Sequence, residues 1–228
     1  MSDFGNPNEV APVPLAKVTL TKASPRVSLD KSAHAGLLTV NLNWNARGSQ
    51  DAAAPQGKRG WLGKLQSALQ PDVGIDLDLG CLWEFTDGSK GVVQALGNAF
   101  EARDTNGRAV ISLDGDDRSG STAGGENMRI DLSQADAIRR ILVFALIYEG
   151  TPNWEQAQGV VTLVSPGAAP VELHLDDAGG QAKICAIALI EHTGGELSVQ
   201  REVRYINGAQ DALDKAYGWG LSWSPGRK

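Results

Sequence analysis

Short apolar segments closed by turn residues recur along the chain, and they constrain its fold more than any other feature. In each segment, β-branched residues or an alternation of apolar and polar residues continues until Gly, Pro, Asn or Asp interrupts it. The predicted strands are 17–21, 37–43, 75–85, 91–96, 110–113, 128–131, 140–148, 160–164, 171–175, 182–191 and 196–205. Many short strands at close spacing predict an all-β fold, a two-sheet antiparallel β-sandwich.

Turn and helix signals complete this prediction. Gly-containing turns at 86–90 and 192–196 predict hairpins, because glycine supplies the positive φ that a tight reversal requires. Residues 210–217 predict a C-terminal helix that ends before a glycine. The two tryptophans that follow, Trp219 and Trp223, either cover the sandwich, which we favour, or stack on a ligand.

The length of 228 residues suits one large domain. We expect a flexible tail at 1–14 and a single domain at 15–228, interrupted by an insertion at 46–71 that begins with a polar stretch of Gly, Ala and Pro. Within the insertion, apolar residues fall on one side of a short helix and basic residues accompany them. The apolar residues are Trp61, Leu65 and Leu69, and the basic residues are Lys58, Arg59 and Lys64.

This basic segment, 58–69, has two interpretations. It is either a surface helix that docks on a membrane or a protein partner, or a loop whose apolar side packs on the sandwich. The second interpretation is favoured, and the first leaves open a peripheral location at the inner face of the membrane. Protein partners are expected in either case.

Charge and cysteine content narrow the class of protein. The formal net charge of −6 argues against nucleic-acid binding, because phosphate contacts need a surplus of Lys and Arg. The two cysteines, Cys81 and Cys185, lie in apolar strands and are expected to be buried free thiols. The first ten residues do not resemble a secretory signal, and no apolar run is long enough to span a membrane, so we expect a cytoplasmic protein.

Asp76 and Asp78 lie inside one of the apolar strands. Residues two apart in a strand face the same side, so the two carboxylates can converge while Leu77 and Leu79 enter the core. Neighbouring like charges repel, and an apolar strand does not hold them without compensation. A positive partner is therefore expected between them.

A glycine-rich acidic loop offers further oxygen atoms. Its carboxylates are Asp114, Asp116, Asp117 and Glu126, and its hydroxyls include Ser119 and Ser121. Calcium binds roughly 6–8 oxygens in irregular geometry, whereas zinc prefers Cys or His and magnesium keeps several waters. The residues thus favour a calcium site, although an ordinary exposed acidic turn is an equal alternative from spacing alone.

Four segments in order carry a resemblance to a known family. They are Gly74-Ile-Asp-Leu-Asp-Leu79, Leu113-Asp-Gly-Asp-Asp-Arg-Ser-Gly120, Gly125-Glu-Asn-Met-Arg-Ile-Asp-Leu132 and Ile141-Leu-Val-Phe-Ala-Leu-Ile-Tyr148. The chain resembles the TerD-type tellurium resistance and stress proteins from about residue 15 to its end. The resemblance implies a calcium-binding β-sandwich associated with tellurite, phage and envelope stress. The metal ligands that it implies are Asp76, Asp78, Asp116, Asp117 and Glu126.

One departure from the family pattern concerns the number of ions. Many members carry two aspartates directly before the glutamate, whereas this chain has Gly124 and Gly125. Fewer carboxylates weaken the affinity or reduce the number of ions held, so one calcium ion is expected more readily than two.

An enzyme is the competing class of function. The three histidines, His34, His174 and His192, lie apart in the sequence and belong to no recognisable catalytic motif. A calcium-dependent hydrolase of phosphoesters or esters is the alternative, since a metal ion can polarise such groups without histidine. We expect instead a non-enzymatic stress-response protein that acts as a calcium-ordered binding or scaffold module.

Overall fold

The computed structural model describes residues 16–29, 36–45, 75–114, 125–150 and 153–224. The predicted tail at 1–14 and the insertion at 46–71 lie outside these ranges, so those two predictions stay predictions. In the described ranges the strands are β1 (Val18–Thr19), β2 (Arg26–Leu29), β3 (Leu37–Asn43), β4 (Asp76–Phe85), β5 (Lys90–Val93), β6 (Glu101–Arg103), β7 (Ala109–Leu113), β8 (Glu126–Asp131), β9 (Ile138–Glu149), β10 (Gly159–Val164), β11 (Val171–Leu175), β12 (Ile184–Thr193) and β13 (Glu196–Ile206). The α-helices there are α1 (Trp154–Ala157) and α2 (Gln210–Tyr217), and short 3-10 segments occupy Leu96–Asn98 and Leu132–Ala137.

The strands form two sheets, which confirms the predicted β-sandwich. Sheet A has seven strands in the order β1-β11-β10-β3-β8-β7-β6, and sheet B has six in the order β2-β13-β12-β9-β4-β5. All pairs are antiparallel except β1 with β11, which are parallel over two residues. The predicted hairpins are present, since β4 pairs with β5 and β12 with β13 across the glycine turns.

The main core lies between the sheets and is built largely from alternate residues of the longer strands. On β4, Leu77, Leu79 and Cys81 are fully buried in it, as their alternation with Asp76 and Asp78 predicted. Both cysteines are buried free thiols.

A second apolar cluster lies on the outer face of sheet B. There α2 and the segment after it cover residues such as Leu82 and Phe144, and Leu213 and Trp219 are themselves buried. Trp223 packs against the same cluster. The two C-terminal tryptophans therefore cover the sandwich, which is the interpretation that the sequence favoured.

Three of the strands and α-helices have no counterpart in the predicted set. The strands β2 and β6 and the four-residue helix α1 were not predicted, whereas β3, β11 and α2 have the predicted bounds. Each of the unpredicted elements has only three or four residues, which is too short to show a period.

Candidate metal site

Strand ends from both sheets bring three of the predicted carboxylates to one end of the sandwich. Asp76 and Asp78 lie at the start of β4, and Glu126 lies at the start of β8. Asp76 pairs with Glu149 at the end of β9, and Glu126 pairs with Leu42 near the end of β3. We call this end, with Asp76, Asp78 and Glu126, the acidic end.

The side chain of Glu126 crosses from sheet A to sheet B. Its Oε2 accepts a hydrogen bond of 2.6 Å from the backbone amide of Leu79. Strand β5 pairs only with residues 81–84 of β4, so Leu79 lies beyond that pairing and its amide binds the carboxylate instead. Asp78, the preceding residue, is 4% exposed and Glu126 is 3% exposed. Asp78 and Glu126 are therefore both buried, and Glu126 contacts the residue that follows Asp78.

A buried tryptophan hydrogen bonds to the residue before Asp76. The indole Nε1 of Trp44 donates a hydrogen bond of 2.9 Å to the carbonyl oxygen of Ile75. Trp44 follows β3 in sheet A and is buried, whereas Ile75 immediately precedes β4 in sheet B. No signal in the sequence paired these two residues, because the contact depends on how the sheets stack.

The backbone at Gly125 places Glu126 at the end of its strand. Gly125 has φ +63°, a left-handed conformation that residues with a side chain rarely adopt. The glycine that departs from the family's acidic pattern is thus required by the backbone conformation found at this position.

Asp114, another predicted ligand, has an arginine as its partner. Its carboxylate forms an ion pair with Arg129, whose side chain is exposed. Along β8, Glu126 and Met128 are buried while Arg129 is exposed, so Arg129 and its partner Asp114 lie on the outer face of sheet A. Asp116 and Asp117 fall outside the described residues, and their predicted role stays a prediction.

The donor atoms at the acidic end are carboxylate and backbone oxygens. Oxygen donors suit a hard cation such as calcium, whereas zinc would need His or Cys. Within the described ranges, no group of three or more His, Cys, Asp or Glu side chains is close enough to hold an ion by itself. Burial raises the pKa of the Cys81 thiol, which lies in the core and is not a candidate ligand.

The two described histidines occupy different sheets. His174 lies exposed on β11, within 2.8 Å of Glu172, and His192 lies on β12, 3.8 Å from Asp136. His34 is outside the described residues. His174 therefore faces solvent.

Sequence reasoning missed one cleft of about 540 Å³ beside β5 and the start of α2. Its lining includes the buried side chains of Gln94 and Gln210, which hydrogen bond to each other over 3.1 Å, and also Trp223. None of the predicted site residues lines it.

In the described part of the chain, no helix has the length and apolar character needed to cross a membrane.

The sequence is similar to that of a known protein over nearly its whole length. Over 216 residues, or 95% of this chain, the sequence is 41% identical to the tellurium resistance protein TerA of an Alcaligenes species. The chain spans 60% of the length of that relative. No protein-family model matches the chain.

Two solved structures match about three quarters of the chain. A crystal structure of a protein of unknown function, SAV2460, has a TM-score of 0.51 and 15% sequence identity, and the match covers 77% of this chain and 92% of that one. A homologue of the telluride resistance protein TerD from Streptomyces coelicolor has a TM-score of 0.47 and 18% identity, with 76% and 92% covered. Over the region that it shares with TerA, the chain is similar to a tellurium resistance protein, in agreement with the resemblance that its ordered acidic motifs carry.

Proposed function

We propose that this protein is a calcium-binding, non-enzymatic member of the tellurium resistance group, and that the ion binds at the acidic end. Asp76, Asp78 and Glu126 are the described residues that would hold it. The loop residues Asp116 and Asp117, predicted from the sequence, would complete the set of oxygens. In this proposal the ion orders loops that present a surface to a partner.

The observation that carries the proposal is the burial of two carboxylates near one section of β4: Asp78 lies on that strand, and Glu126 hydrogen bonds to the next residue, Leu79. Both side chains are at least 95% buried, and they come from different sheets. Burial of a carboxylate is favoured by compensating hydrogen bonds or positive charge. A divalent cation is one group that provides positive charge, and calcium uses oxygen ligands of the kind found here.

A calcium titration tests the proposal. Calorimetry on the full chain should give a saturable binding isotherm, and calcium should raise the melting temperature. At a free calcium concentration 100 times the dissociation constant, binding adds about 2.7 kcal/mol to the free energy of unfolding. The double variant Asp76→Asn/Asp78→Asn should lose both responses, because it keeps the shape of the side chains but removes their charge.

Two further variants sharpen this test. Glu126→Gln keeps an oxygen that can accept the Leu79 hydrogen bond, so it should fold normally yet bind calcium at least about tenfold more weakly. Asp87→Asn removes an exposed carboxylate at the β4–β5 hairpin and should leave calcium binding unchanged. A full calcium response in the double variant, or none in the wild-type protein, would rule out this site.

The biological role is part of the same proposal, and the similarity to TerA supports it. We infer participation in resistance to tellurite and related stresses from the 41% identity to TerA. We also propose a cytoplasmic location and protein partners. For the basic segment 58–69, packing on the sandwich is the favoured interpretation, and contact with the inner face of the membrane is the alternative. Growth of a deletion strain on tellurite, rescued by the wild-type gene but not by the double variant, would support the role.

A further inference from the structure

The cleft beside β5 and the start of α2 has the size of a small-molecule site. Its volume is about 540 Å³, within the range of about 300–1,000 Å³ that is typical of such sites. None of the three residues of the acidic end lines it. What this cleft binds is therefore a question separate from the proposed ion.

Two glutamine side chains are buried in the lining of the cleft. Gln94 is 9% exposed and Gln210 is 8% exposed. The side-chain amide nitrogen of Gln94 donates a hydrogen bond of 3.0 Å to the carbonyl oxygen of Leu96, so its Oε1 accepts the 3.1 Å bond from Nε2 of Gln210. Among the described residues, nothing donates to Oε1 of Gln210, and this atom is not enclosed by protein. A ligand in the cleft can therefore donate an N–H to it.

The first turn of α2 adds hydrogen-bond donors to the cleft. The first amides of a helix have no acceptor within the helix, and a side chain at the residue before the helix often supplies one. Here that residue is Ala209, which has no side-chain acceptor and which lines the cleft next to Gln210. A ligand that uses both groups needs a donor and an acceptor close together.

Trp223 adds an aromatic residue to the lining. It packs against the apolar cluster on the outer face of sheet B, and its Nε1 donates a hydrogen bond of 3.2 Å to Asp214. It is half-buried, so these contacts fix its orientation while part of it stays accessible. A tryptophan held in this way binds planar aromatic ligands by stacking. The apolar residues Val92 and Leu96, which also line the cleft, suit the same kind of ligand.

The charge at the cleft disfavours an anionic ligand. Asp211 lines the cleft and forms an exposed ion pair with Lys215 at 3.0 Å, and the whole chain has a net charge of −6. A phosphate group close to this carboxylate would be repelled. Hydroxyl groups, in contrast, can donate to it, as ribose hydroxyls do to carboxylates in dinucleotide sites.

We propose that this cleft binds an uncharged nucleoside whose base carries an amino group. The base stacks on Trp223, and its amino group donates to Oε1 of Gln210. A ring nitrogen of the base accepts from the amides at the start of α2, and the ribose hydroxyls donate to Asp211. The inference goes beyond the proposed function and holds with or without bound calcium.

An NMR titration of the full chain with adenosine tests the proposal. The indole N–H signal of Trp223 and the side-chain amide signals of Gln210 should shift saturably, with half-saturation below about 1 mM. The indole signal of Trp154, which lies in the main core, should not shift. Purine riboside, which lacks only the amino group, should bind about tenfold more weakly, and adenosine monophosphate should also bind more weakly than adenosine.

The substitution Gln210→Met separates recognition of the amino group from a structural role. Methionine keeps the length of the side chain but accepts no strong hydrogen bond, so adenosine should bind about tenfold more weakly while purine riboside keeps its wild-type affinity. Gln156→Met, on α1 and outside this cleft, is the matched control and should change neither affinity.

Three results with the wild-type protein would overturn the proposal, and none of them depends on how a variant folds. They are the absence of saturable shifts with adenosine, equal affinity for adenosine and purine riboside, and tighter binding of adenosine monophosphate than of adenosine. The calcium titration is a separate measurement, so its failure would leave this inference standing.

Discussion

A Cβ atom placed on Gly125 would lie 2.1 Å from the carbonyl oxygen of Leu42 on the neighbouring strand β3. This contact is far shorter than any real Cβ contact, and the obstacle is backbone, which cannot rotate away. Gly125 also has positive φ. The close approach of β8 to β3 at the acidic end therefore requires glycine immediately before Glu126.

Substitution at this position should destabilise the protein. We expect Gly125→Ala to lower the free energy of unfolding by about 3 kcal/mol or more, because the backbone strain adds to the steric clash. The control is Gly88→Ala in the β4–β5 hairpin, where φ is +86° but nothing lies within 4 Å of the added Cβ. It should lose only about 1 kcal/mol. Equal losses in urea unfolding would contradict the steric argument.

Glu84 should contribute to the loss of unfolding free energy at acid pH. Burial raises the pKa of its carboxyl, but the hydrogen bond and charge of Arg140, with the charges of Arg139 and Lys90, outweigh burial and hold this pKa below its ordinary value of 4.5. Because the folded-state pKa is lowered, Glu84 contributes stability above pH 4.5 and loses it as the pH falls through the lower folded value. The stability difference between wild type and Glu84→Gln should therefore shrink on acidification. Urea denaturation of both proteins at several pH values measures this difference. A difference in unfolding free energy that is the same at every pH would contradict the prediction.

The C-terminal segment should be released when Asp214 is changed. This buried carboxylate accepts hydrogen bonds from the amides of Gly220 and Leu221 and from the indole of Trp223, at 2.9, 2.8 and 3.2 Å. Asp214→Ala should lower the free energy of unfolding by about 2–4 kcal/mol and speed amide exchange at both residues. Asp211→Asn, on the same helix but in an exposed ion pair, should leave exchange there unchanged. Unchanged exchange in Asp214→Ala would show that other contacts hold the segment.

Both cysteines should be unreactive in the folded protein. Burial raises the pKa of the Cys81 and Cys185 thiols, so neither forms the reactive thiolate at neutral pH. A thiol-specific reagent such as Ellman's reagent should label neither cysteine in native protein and both after unfolding in guanidinium chloride. Rapid labelling of the native protein would show that strand β4 or β12 opens to solvent.

The sequence alone determined the elements with a regular pattern. The bounds of β3, β11 and α2 were predicted to the residue, because alternation over five or more strand positions and a helix ended by Gly218 are local signals. The sandwich and the direction of Leu77 and Leu79 into its core followed from the same periodicity. The resemblance to the tellurium resistance proteins likewise needed only the order of the acidic motifs.

Tertiary structure decided the elements and contacts that depend on a neighbour. β2 pairs with β13 and β6 with β7, and each is a strand because an adjacent strand supplies its hydrogen bonds. The register of sheet A places Asp114 beside Arg129. Stacking of the two sheets brings Glu126 to Leu79 and Trp44 to Ile75. These contacts join residues 31 to 47 positions apart, and no local pattern in the chain encodes how two twisted sheets meet.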